Sequence, residues 1–462
     1  MMPDDSPSNS KIVAAYRERT PRSERLAAEA NDILPSGITH DARYVKPYGI
    51  YVERAKGPRK RDVDGNEYVD YFGGHGALLL GHNHPAVLAA MHETLDRGTH
   101  FGANHEGEVR WGEVVRRLIP SAERVRFTSS GTEATLMAVR LARAFTGRTK
   151  LVRFLTNFHG WHDHMTAGHA SHFDGSATAG VIAEIAAHTI LLPPGDIPAM
   201  RAALAGGDDI AAVIVEPTGA SFGMVPLAPD FLVALREATA KRGIVLIFDE
   251  VITGFRVSKS GAQREFGVTP DLTALAKILA GGLPGGAVVG RKAILDELDF
   301  AVAASKGREK ISHPGTYNAN PVSAAAGRAT LEIVETSDAC ERANRYAAEL
   351  RAGLNEILAD ERVPWAAHGT FSGFHIFLNP NNRPLDPTKF DPFAIDYREM
   401  VAVPGPLAQK IRLALLVQGV DVMGRLAGFV SATHGPDEMA ATLAAFRAAL
   451  AMLRAEGELP RS

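Results

Sequence analysis

The middle of the chain alternates between two hydrophobic patterns. Continuous apolar runs, typical of buried strands, occupy residues 125–127, 151–155, 189–192, 211–215, 245–248, 272–276 and 287–289. Stretches with helical spacing lie between several of them, at residues 133–145, 197–205, 230–242 and 321–334. Apolar strands that alternate with helices predict an α/β fold, in which a mostly parallel seven-stranded sheet is covered by helices on both faces.

The two ends of the chain have a more mixed pattern. Residues 60–63 and 68–72 alternate like strands around an Asp-Gly-Asn turn signal, and residues 436–455 have helical spacing. We therefore predict a large domain at 107–336 and a small α+β domain built from both chain ends, 1–106 and 337–462. Residues 1–10 are expected to form a disordered tail.

Composition and charge favour an enzyme that acts on small molecules. A net charge of -3 and a pI near 6.6 give no reason to expect nucleic acid or an anionic membrane as partner. Cys340 is the only cysteine, which excludes an intrachain disulfide and indicates a reducing compartment. The N-terminus lacks a basic and apolar secretory signal, and no apolar run approaches the roughly 20 residues of a membrane helix. We expect a soluble, cytoplasmic protein.

An acid and a lysine follow two of the predicted strands. Asp249 ends one apolar run and Lys277 follows the next, so both are expected at the carboxyl edge of the sheet, where ligands of such folds bind. A pyridoxal phosphate enzyme needs this pair, because the carboxylate protonates the pyridine nitrogen and the lysine holds the aldehyde as a Schiff base. Val251 is placed to pack on one face of the ring. Glu216 either reaches the phenolic oxygen side of the cofactor or stabilises a nearby loop, with a helix N-cap or a structural ion pair as the alternatives.

Two loops carry candidate phosphate ligands. Ser130, Gly131 and Thr132 stand where a helix begins, and free backbone N–H groups and hydroxyls at such a point bind phosphate. A plain helix N-cap is the alternative. Thr316, in the loop HPGTYNANP, is a further phosphate donor, with simple turn chemistry as its alternative.

A histidine-rich loop, FHGWHDH, follows the strand at 151–155. We interpret Phe158 as the side chain that covers one face of the cofactor ring, with His159 beside it. Metal ligation by His159, His162 and Asp163, as in a metal-dependent hydrolase, is the alternative from another class of protein. Trp161 is either part of this site or core packing.

Six motifs in order, SSGTEA, FHGWHD, EPTGASFG, FDEVITGFRV, ALAK and HPGTYNANP, closely resemble those of the class III aminotransferases, a fold type I pyridoxal phosphate family. The resemblance extends from about residue 30 to the C-terminus. It implies that Lys277 is the Schiff-base lysine, that Asp249 binds the pyridine nitrogen, and that Ser130, Gly131 and Thr132 bind the phosphate. It also implies a homodimer with shared active sites, in which Thr316 reaches the phosphate of the neighbouring subunit. Phe158 replaces the usual tyrosine, so stacking survives and a hydroxyl is lost; Ser129 replaces the usual asparagine.

Within the class, the chain resembles the glutamate-1-semialdehyde aminomutase branch. Stretches such as YFGGHGALLLGHNHP are more similar still to the D-phenylglycine aminotransferases. Arg43 aligns with an arginine that holds a substrate carboxylate in the aminomutases, and His75 replaces their tryptophan. The aminomutases carry a glutamate where this chain has Leu426, and neighbouring Arg425 is a candidate for the second carboxylate of 2-oxoglutarate.

The resemblance implies a ping-pong transaminase. The expected donor is a D-arylglycine such as D-phenylglycine or D-4-hydroxyphenylglycine, and the expected acceptor is 2-oxoglutarate. The alternatives on the same scaffold are a glutamate-1-semialdehyde 2,1-aminomutase, a β-amino acid transaminase and an amino acid racemase. A non-catalytic, cofactor-binding regulator is disfavoured, because the chain has no DNA-binding segment.

Overall fold

The computed structural model describes residues 10–459, so the tail expected at the N-terminus lies outside the described residues except for Ser10. The described chain divides into two compact units. The first contains the residues up to His75, Leu79–His84 and the residues from Arg342 onward. The second contains Gly76–Leu78 and Pro85–Glu341. The domain boundaries after residues 106 and 336 stay predictions.

Helices form a large part of both units. In chain order they are α1 Lys11–Arg19, α2 Pro21–Ile33, α3 Gly73–Gly76, α4 Pro85–Leu95, α5 Glu106–Leu118, α6 Gly131–Thr146, α7 Ala183–Ala187, α8 Ile197–Ala205, α9 Ala220–Gly223, α10 Pro229–Arg242, α11 Gly261–Phe266, α12 Lys292–Leu295, α13 Phe300–Ser305, α14 Pro321–Thr336, α15 Ala339–Asp360, α16 Tyr397–Val401, α17 Gly405–Val417 and α18 Pro436–Ala455. Short 3-10 turns, including Asp41–Arg43 and Lys277–Ala280, lie between them.

All strands except the short β8, Val225–Pro226, belong to three sheets. In chain order they are β1 Val52–Lys56, β2 Arg59–Asp62, β3 Glu67–Asp70, β4 Arg124–Thr128, β5 Lys150–Phe154, β6 Thr189–Leu192, β7 Ile210–Val215, β8 Val225–Pro226, β9 Val245–Glu250, β10 Leu272–Ala276, β11 Gly286–Gly290, β12 Ala366–His368, β13 Gly373–Phe377, β14 Val420–Asp421 and β15 Ala427–Phe429. β8 forms only isolated bridges.

The second unit is built on the predicted seven-stranded sheet, in the order β4-β11-β10-β9-β7-β5-β6. Its pairings are parallel except the two made by β11, which is antiparallel to β10 and to β4. The prediction of a mostly parallel sheet is thereby confirmed, and each apolar run in the middle of the sequence forms one of its strands.

Both faces of this sheet are covered, because alternate residues of each strand point to opposite sides. Val213 and Val215 of β7 pack with apolar residues of α8 and α10 on one face. Ala212 and Ile214, between and beside them, pack with Met137 and other residues of α6 on the other face. All six residues of β7 are buried, as expected for a central parallel strand.

The first unit has two smaller sheets. One has the order β1-β2-β3-β14, and its β2–β3 hairpin turns at the predicted Asp-Gly-Asn sequence. The other is antiparallel, in the order β12-β13-β15. Across residues 10–459 the helices are all too short or too polar to cross a membrane.

Candidate active site

Asp249 and Lys277 lie at the same edge of the large sheet. β9 and β10 are neighbouring parallel strands, and Asp249 pairs with Ala274. Lys277 follows directly after β10 and has a φ of 56°. This left-handed conformation costs a residue with a Cβ about 1 kcal/mol or more. The surrounding structure must therefore hold Lys277 in place, as is common at functional sites.

A buried histidine is bonded to Asp249. Nδ1 of His159 donates to Oδ2 of Asp249 at 2.8 Å, and the N–H of Val251 donates to Oδ1 at 3.0 Å. The hydroxyl of Thr135, on α6, donates to the carbonyl of His159 at 2.7 Å. Burial lowers the pKa of His159, against the opposing effect of Asp249. A neutral imidazole that donates from Nδ1 leaves Asp249 as the acceptor, with its orientation fixed from two sides.

The pKa values of Lys277 and of nearby Glu216 differ from their usual values. Burial lowers the pKa of Lys277, while Asp249 and Glu216 act in the opposite direction. Burial raises the pKa of Glu216 to about 8, and the nearby charge of Asp249 adds to this effect. A lysine with a lowered pKa has a larger neutral fraction near neutral pH, which is the form that attacks carbonyl carbons.

Glu216 braces two loops. Its Oε1 accepts the N–H of Phe158 at 2.7 Å, and its Oε2 accepts the N–H of Phe222 at 3.4 Å. Ser221 and Phe222 both have positive φ angles, 51° and 59°, so this turn needs such support. Among the roles predicted for Glu216, these contacts correspond to loop stabilisation. A contact with the phenolic oxygen of a cofactor stays a prediction.

The start of α6 has the shape of a narrow cradle. Ser130 is its N-cap and accepts the N–H of Glu133 at 3.2 Å, so the capping alternative is realised, and the hydroxyl proton of Ser130 is left for another acceptor. A Cβ at Gly131 would lie 3.0 Å from both methyl groups of Val251. Gly160 has a φ of 96°, and a Cβ there would lie 2.7 Å from the Thr132 hydroxyl. Two glycines thus allow the loops after β5 and β9 to close on this helix N-terminus.

Phe158 and Thr316, which are predicted to contact the cofactor, and Trp161 are all exposed to solvent in the single chain. Phe158 is 47% exposed, and its ring lies 5.0 Å from that of His169. Thr316 is exposed, and its carbonyl accepts from Nε2 of His100 at 2.7 Å. Trp161 is 77% exposed, which excludes the core-packing alternative for this residue within the single chain.

The histidine-rich loop does not assemble a metal site. Among residues 10–459, no group of three His, Cys, Asp or Glu side chains is placed to hold a metal ion. His159 is bonded to Asp249, whereas Nε2 of His162 lies 3.3 Å from the hydroxyl of Thr135. Burial lowers the pKa of His162 to about 3. The side chains of His159 and His162 are thus placed for hydrogen bonds within the loop region.

The predicted substrate residues lie in the first unit. Arg43 and His75 line one cavity of about 780 Å³. Nη1 of Arg43 donates to the Thr39 hydroxyl at 2.9 Å. The ring of His75 stacks on that of His40 at 4.4 Å and meets Phe72 edge-on at 5.2 Å. The structure therefore brings two of the three predicted substrate residues to one cavity.

Arg425 is not among the residues that line this cavity. Its side chain is half-buried, and burial lowers its pKa. Leu426, beside it, is fully buried and has a φ of 55°. Arg412, which the sequence reasoning passed over, does line the cavity, with its guanidinium 5.3 Å from the ring of Phe72.

Two further residues near the site, Arg153 and Asn157, were not predicted from the sequence. Arg153 is fully buried in β5, and Asn157 follows that strand. The side chain of Asn157 accepts the N–H of Glu216 at 3.0 Å. A signal for Arg153 was present, because a charged residue inside an apolar run of a buried parallel strand is unusual.

Comparison with known proteins identifies the class. The class III aminotransferase family model matches residues 40–386. Glutamate-1-semialdehyde 2,1-aminomutase 2 of Brevibacillus brevis is 44% identical over 353 residues, covering 74% of this chain and 80% of that protein. The glutamate-1-semialdehyde 2,1-aminomutase of Ignicoccus hospitalis is 39% identical over 439 residues, 94% of this chain and 99% of that protein. An omega-transaminase structure from Sphaerobacter thermophilus matches with a TM-score of 0.85 and 35% identity, covering 95% of this chain and 99% of that one.

The chain belongs to the class III aminotransferases, which are pyridoxal-phosphate-dependent enzymes of fold type I. The residues present fit this cofactor. Lys277 offers an amine with a lowered pKa, Asp249 a buried carboxylate, and the glycine-lined start of α6 a cradle for a phosphate. Nε2 of His159 is buried and has no hydrogen-bond partner within residues 10–459. A buried polar atom of this kind, next to Asp249, suits a site that is completed by a ligand.

Proposed function

We propose that this enzyme transfers an amino group with Lys277 as the reacting lysine and Asp249 as the partner of the pyridine nitrogen. The observation that carries the proposal is the adjacency of β9 and β10, which places the His159-bonded Asp249 and the strained Lys277 at one sheet edge. Bound pyridoxal phosphate supplies an electron-accepting ring when its nitrogen is protonated.

In this proposal, each residue of the site has a separate role. Asp249 holds the proton at the pyridine nitrogen, and His159 fixes the orientation of that carboxylate. The amine of Lys277 would hold the aldehyde of the cofactor and would carry the proton at the α-carbon of the substrate. Phe158 and Val251 would cover the two faces of the ring.

The phosphate is held at the start of α6. Ser130, Gly131 and Thr132 bind it there through N–H groups, hydroxyls and the helix dipole.

For the reaction, we propose a glutamate-1-semialdehyde 2,1-aminomutase. Two aminomutases resemble this chain at 44% and 39% identity, the second over nearly the full length of both proteins. These relatives favour the aminomutase over the D-arylglycine transaminase expected from the sequence motifs. Arg43, on the cavity of the first unit, is the proposed ligand of the substrate carboxylate, since a guanidinium fork matches that group.

The test is whether glutamate 1-semialdehyde is isomerised with no other substrate present. We expect the cofactor-saturated enzyme to move the amino group from C2 to C1 at a rate that added 2-oxoglutarate does not raise. Turnover that occurs only with an external oxo acid would exclude the aminomutase and leave a transaminase.

The second candidate is that transaminase, with a D-arylglycine donor and 2-oxoglutarate as acceptor. Leu426 favours it, because this position is apolar and fully buried where the resemblance expects a glutamate in aminomutases. His75 on the cavity and a role for Arg425 toward 2-oxoglutarate belong to this candidate. A donor panel of D- and L-phenylglycine, D-4-hydroxyphenylglycine and β-amino acids, each with 2-oxoglutarate, decides between the substrates. Loss of the optical activity of the donor without oxo acid formation would indicate a racemase instead.

We further propose that the enzyme is a cytoplasmic homodimer, with the domains placed as the sequence predicts and Thr316 binding the phosphate of the partner site. The exposure of Thr316 in the single chain supports this. Mixed refolding of Lys277→Ala and Thr316→Val chains tests it. One site of each heterodimer would then carry neither substitution, and activity should return to about a quarter of the wild-type value. No recovery from two separately impaired variants would contradict shared sites.

A further inference from the structure

Arg153 is a buried charge that the proposed mechanism does not use. It lies within β5 and is 0% exposed. Removing an ion from water costs several kcal/mol. Within residues 10–459, no carboxylate lies within 4.0 Å of its guanidinium to offset that cost. A residue placed at such expense to stability is a candidate for a functional role.

The guanidinium clamps the histidine-rich loop at two points. One Nη donates to the carbonyl of Asn157 and the other Nη donates to the carbonyl of Met165. These two carbonyls bracket the loop that carries Phe158 and His159. A planar fork can hold two separate carbonyls in a fixed relation, which a lysine ammonium does poorly.

Further hydrogen bonds connect the clamped loop to the carboxyl groups of Glu216 and Asp249. Asn157 accepts the N–H of Glu216 through its side chain at 3.0 Å, and Glu216 accepts the N–H of Phe158 at 2.7 Å. His159, next in the loop, donates to Asp249 at 2.8 Å. Any movement of the loop would therefore displace the proposed ring-stacking residue and the orienting partner of Asp249 together.

The charges that face Arg153 come from three elements of the site. Burial lowers the pKa of Arg153 to about 10, with Glu216 and Asp249 opposing, so it stays protonated at neutral pH. Glu216, with a pKa raised to about 8, is mostly neutral there. The positive charge of Arg153 contributes to the lowered pKa of His159 and of His162. Arg153 thus places a fixed positive charge near Glu216, Asp249 and the buried histidines.

We propose that Arg153 is a positioning residue of the cofactor site, which holds the loop from Asn157 to Met165 and places a fixed positive charge near Asp249. The proposal rests on the function proposed above, because it assumes that Asp249 binds the pyridine nitrogen. It assigns two separable effects to one side chain: a geometric one through the two carbonyls and an electrostatic one through the charge.

Two substitutions separate these effects in the intact chain. Arg153→Met removes the charge and the clamp, whereas Arg153→Lys keeps the charge and loses the two-pronged donation. The readouts are the dissociation constant of pyridoxal phosphate, by absorbance titration, and the pH midpoint of the visible band of the bound cofactor. At metal sites, loss of a partner that orients a ligand typically costs about 10- to 100-fold, and we expect an effect of the same order here.

For Arg153→Met we expect cofactor affinity to fall by that factor and the pH midpoint to rise by about 1 unit, because a nearby cation lowers the pKa of groups around it. For Arg153→Lys we expect a roughly 10-fold weaker affinity with the midpoint within about 0.3 unit of the wild type. Wild-type affinity and midpoint in both variants would overturn the proposal. If Arg153→Met does not fold, Arg153→Lys decides alone: unchanged affinity overturns the clamp.

Lys277→Ala serves as the reference for the function itself. If that variant keeps the wild-type visible band and its pH midpoint, the proposed function fails, whatever the Arg153 variants do. If it loses the band while both Arg153 variants behave as the wild type, only the role of Arg153 is wrong.

Discussion

The proposed cofactor site and the cavity of the first unit hold their functional side chains in different ways. The proposed cofactor site is built at the ends of β5, β7, β9 and β10, where buried His159 bonds to Asp249 and buried Asn157 bonds to Glu216. On the cavity, Arg43 is exposed in a single 3-10 turn, bonded to one hydroxyl, and His75 stands in a left-handed turn. The proposed cofactor residues stand at or after the ends of buried strands, whereas the proposed substrate residues stand on turns.

The largest expected effect is in the cofactor site. We predict that Lys277→Ala lowers multiple-turnover activity by at least about 10⁴-fold, because no other amine replaces the reacting group. Steady-state assays with saturating cofactor measure this. Lys241→Ala, on the exposed end of α10, is the matched control and should stay within two-fold of the wild type. A rate near that of the wild type for Lys277→Ala would refute the assignment.

The close packing at the start of α6 gives the next effect. Gly131→Ala would place a Cβ 3.0 Å from both methyl groups of Val251. Overpacking of about 1–3 kcal/mol predicts a cofactor affinity reduced about 10- to 100-fold in an absorbance titration.

Gly112→Ala, within α5, is the control, since the nearest atom lies 3.8 Å from its Cβ position. It should leave affinity unchanged and raise helix stability by up to about 1 kcal/mol. Equal affinities for the two alanine variants would mean that the cradle is not rigid.

On the cavity of the first unit, Arg43→Lys should raise KM about 10-fold while kcat changes little, because a point charge replaces a bidentate fork in substrate binding. Arg54→Lys, on β1 with a side chain that is 67% exposed, is the control and should leave KM unchanged. If kcat fell as far as KM rose, Arg43 would act in the chemical step, and the difference between the two regions would not hold.

The smallest expected effect is a pH dependence of the stability of the folded protein, caused by Glu216. A folded-state pKa of about 8, raised from 4.5, means that the folded protein binds this proton more tightly than the unfolded chain. Its contribution to stability is therefore present at low pH and is lost as pH rises from about 4.5 to 8.

Glu216→Gln removes that titration. The melting temperature of the variant minus that of the wild type, at fixed cofactor concentration, should rise between pH 5 and 8 and level off above. The subtraction cancels the buried histidines, whose lowered pKa values act in the opposite sense. A pH-independent difference would show that Glu216 is ionised throughout.

Periodicity was sufficient to predict the large sheet, because its strands are buried on both faces and carry little but apolar residues. It also placed Asp249 and Lys277, since strand ends share one edge in a parallel sheet. It missed Arg153 and Asn157, whose partners are main-chain carbonyls and N–H groups that only the folded loop brings near. Periodicity also could not decide the role of Glu216. Its hydrogen-bond donors are the N–H groups of residues 158 and 222, which only the fold brings near it.

The position of the proposed substrate residues was harder to predict for a physical reason. Arg43 and His75 lie on turns whose backbone conformation is set by long-range packing, and no local spacing connects them to each other. Only the fold shows that both line one cavity, together with Arg412.

Borohydride reduction of the cofactor-saturated enzyme, followed by peptide mass mapping, tests which side chain carries the cofactor. The structure predicts one pyridoxyl group per chain, on the peptide that contains Lys277, and none in Lys277→Ala. Attachment to any other lysine, or no attachment at all, would contradict the site proposed at the ends of β9 and β10.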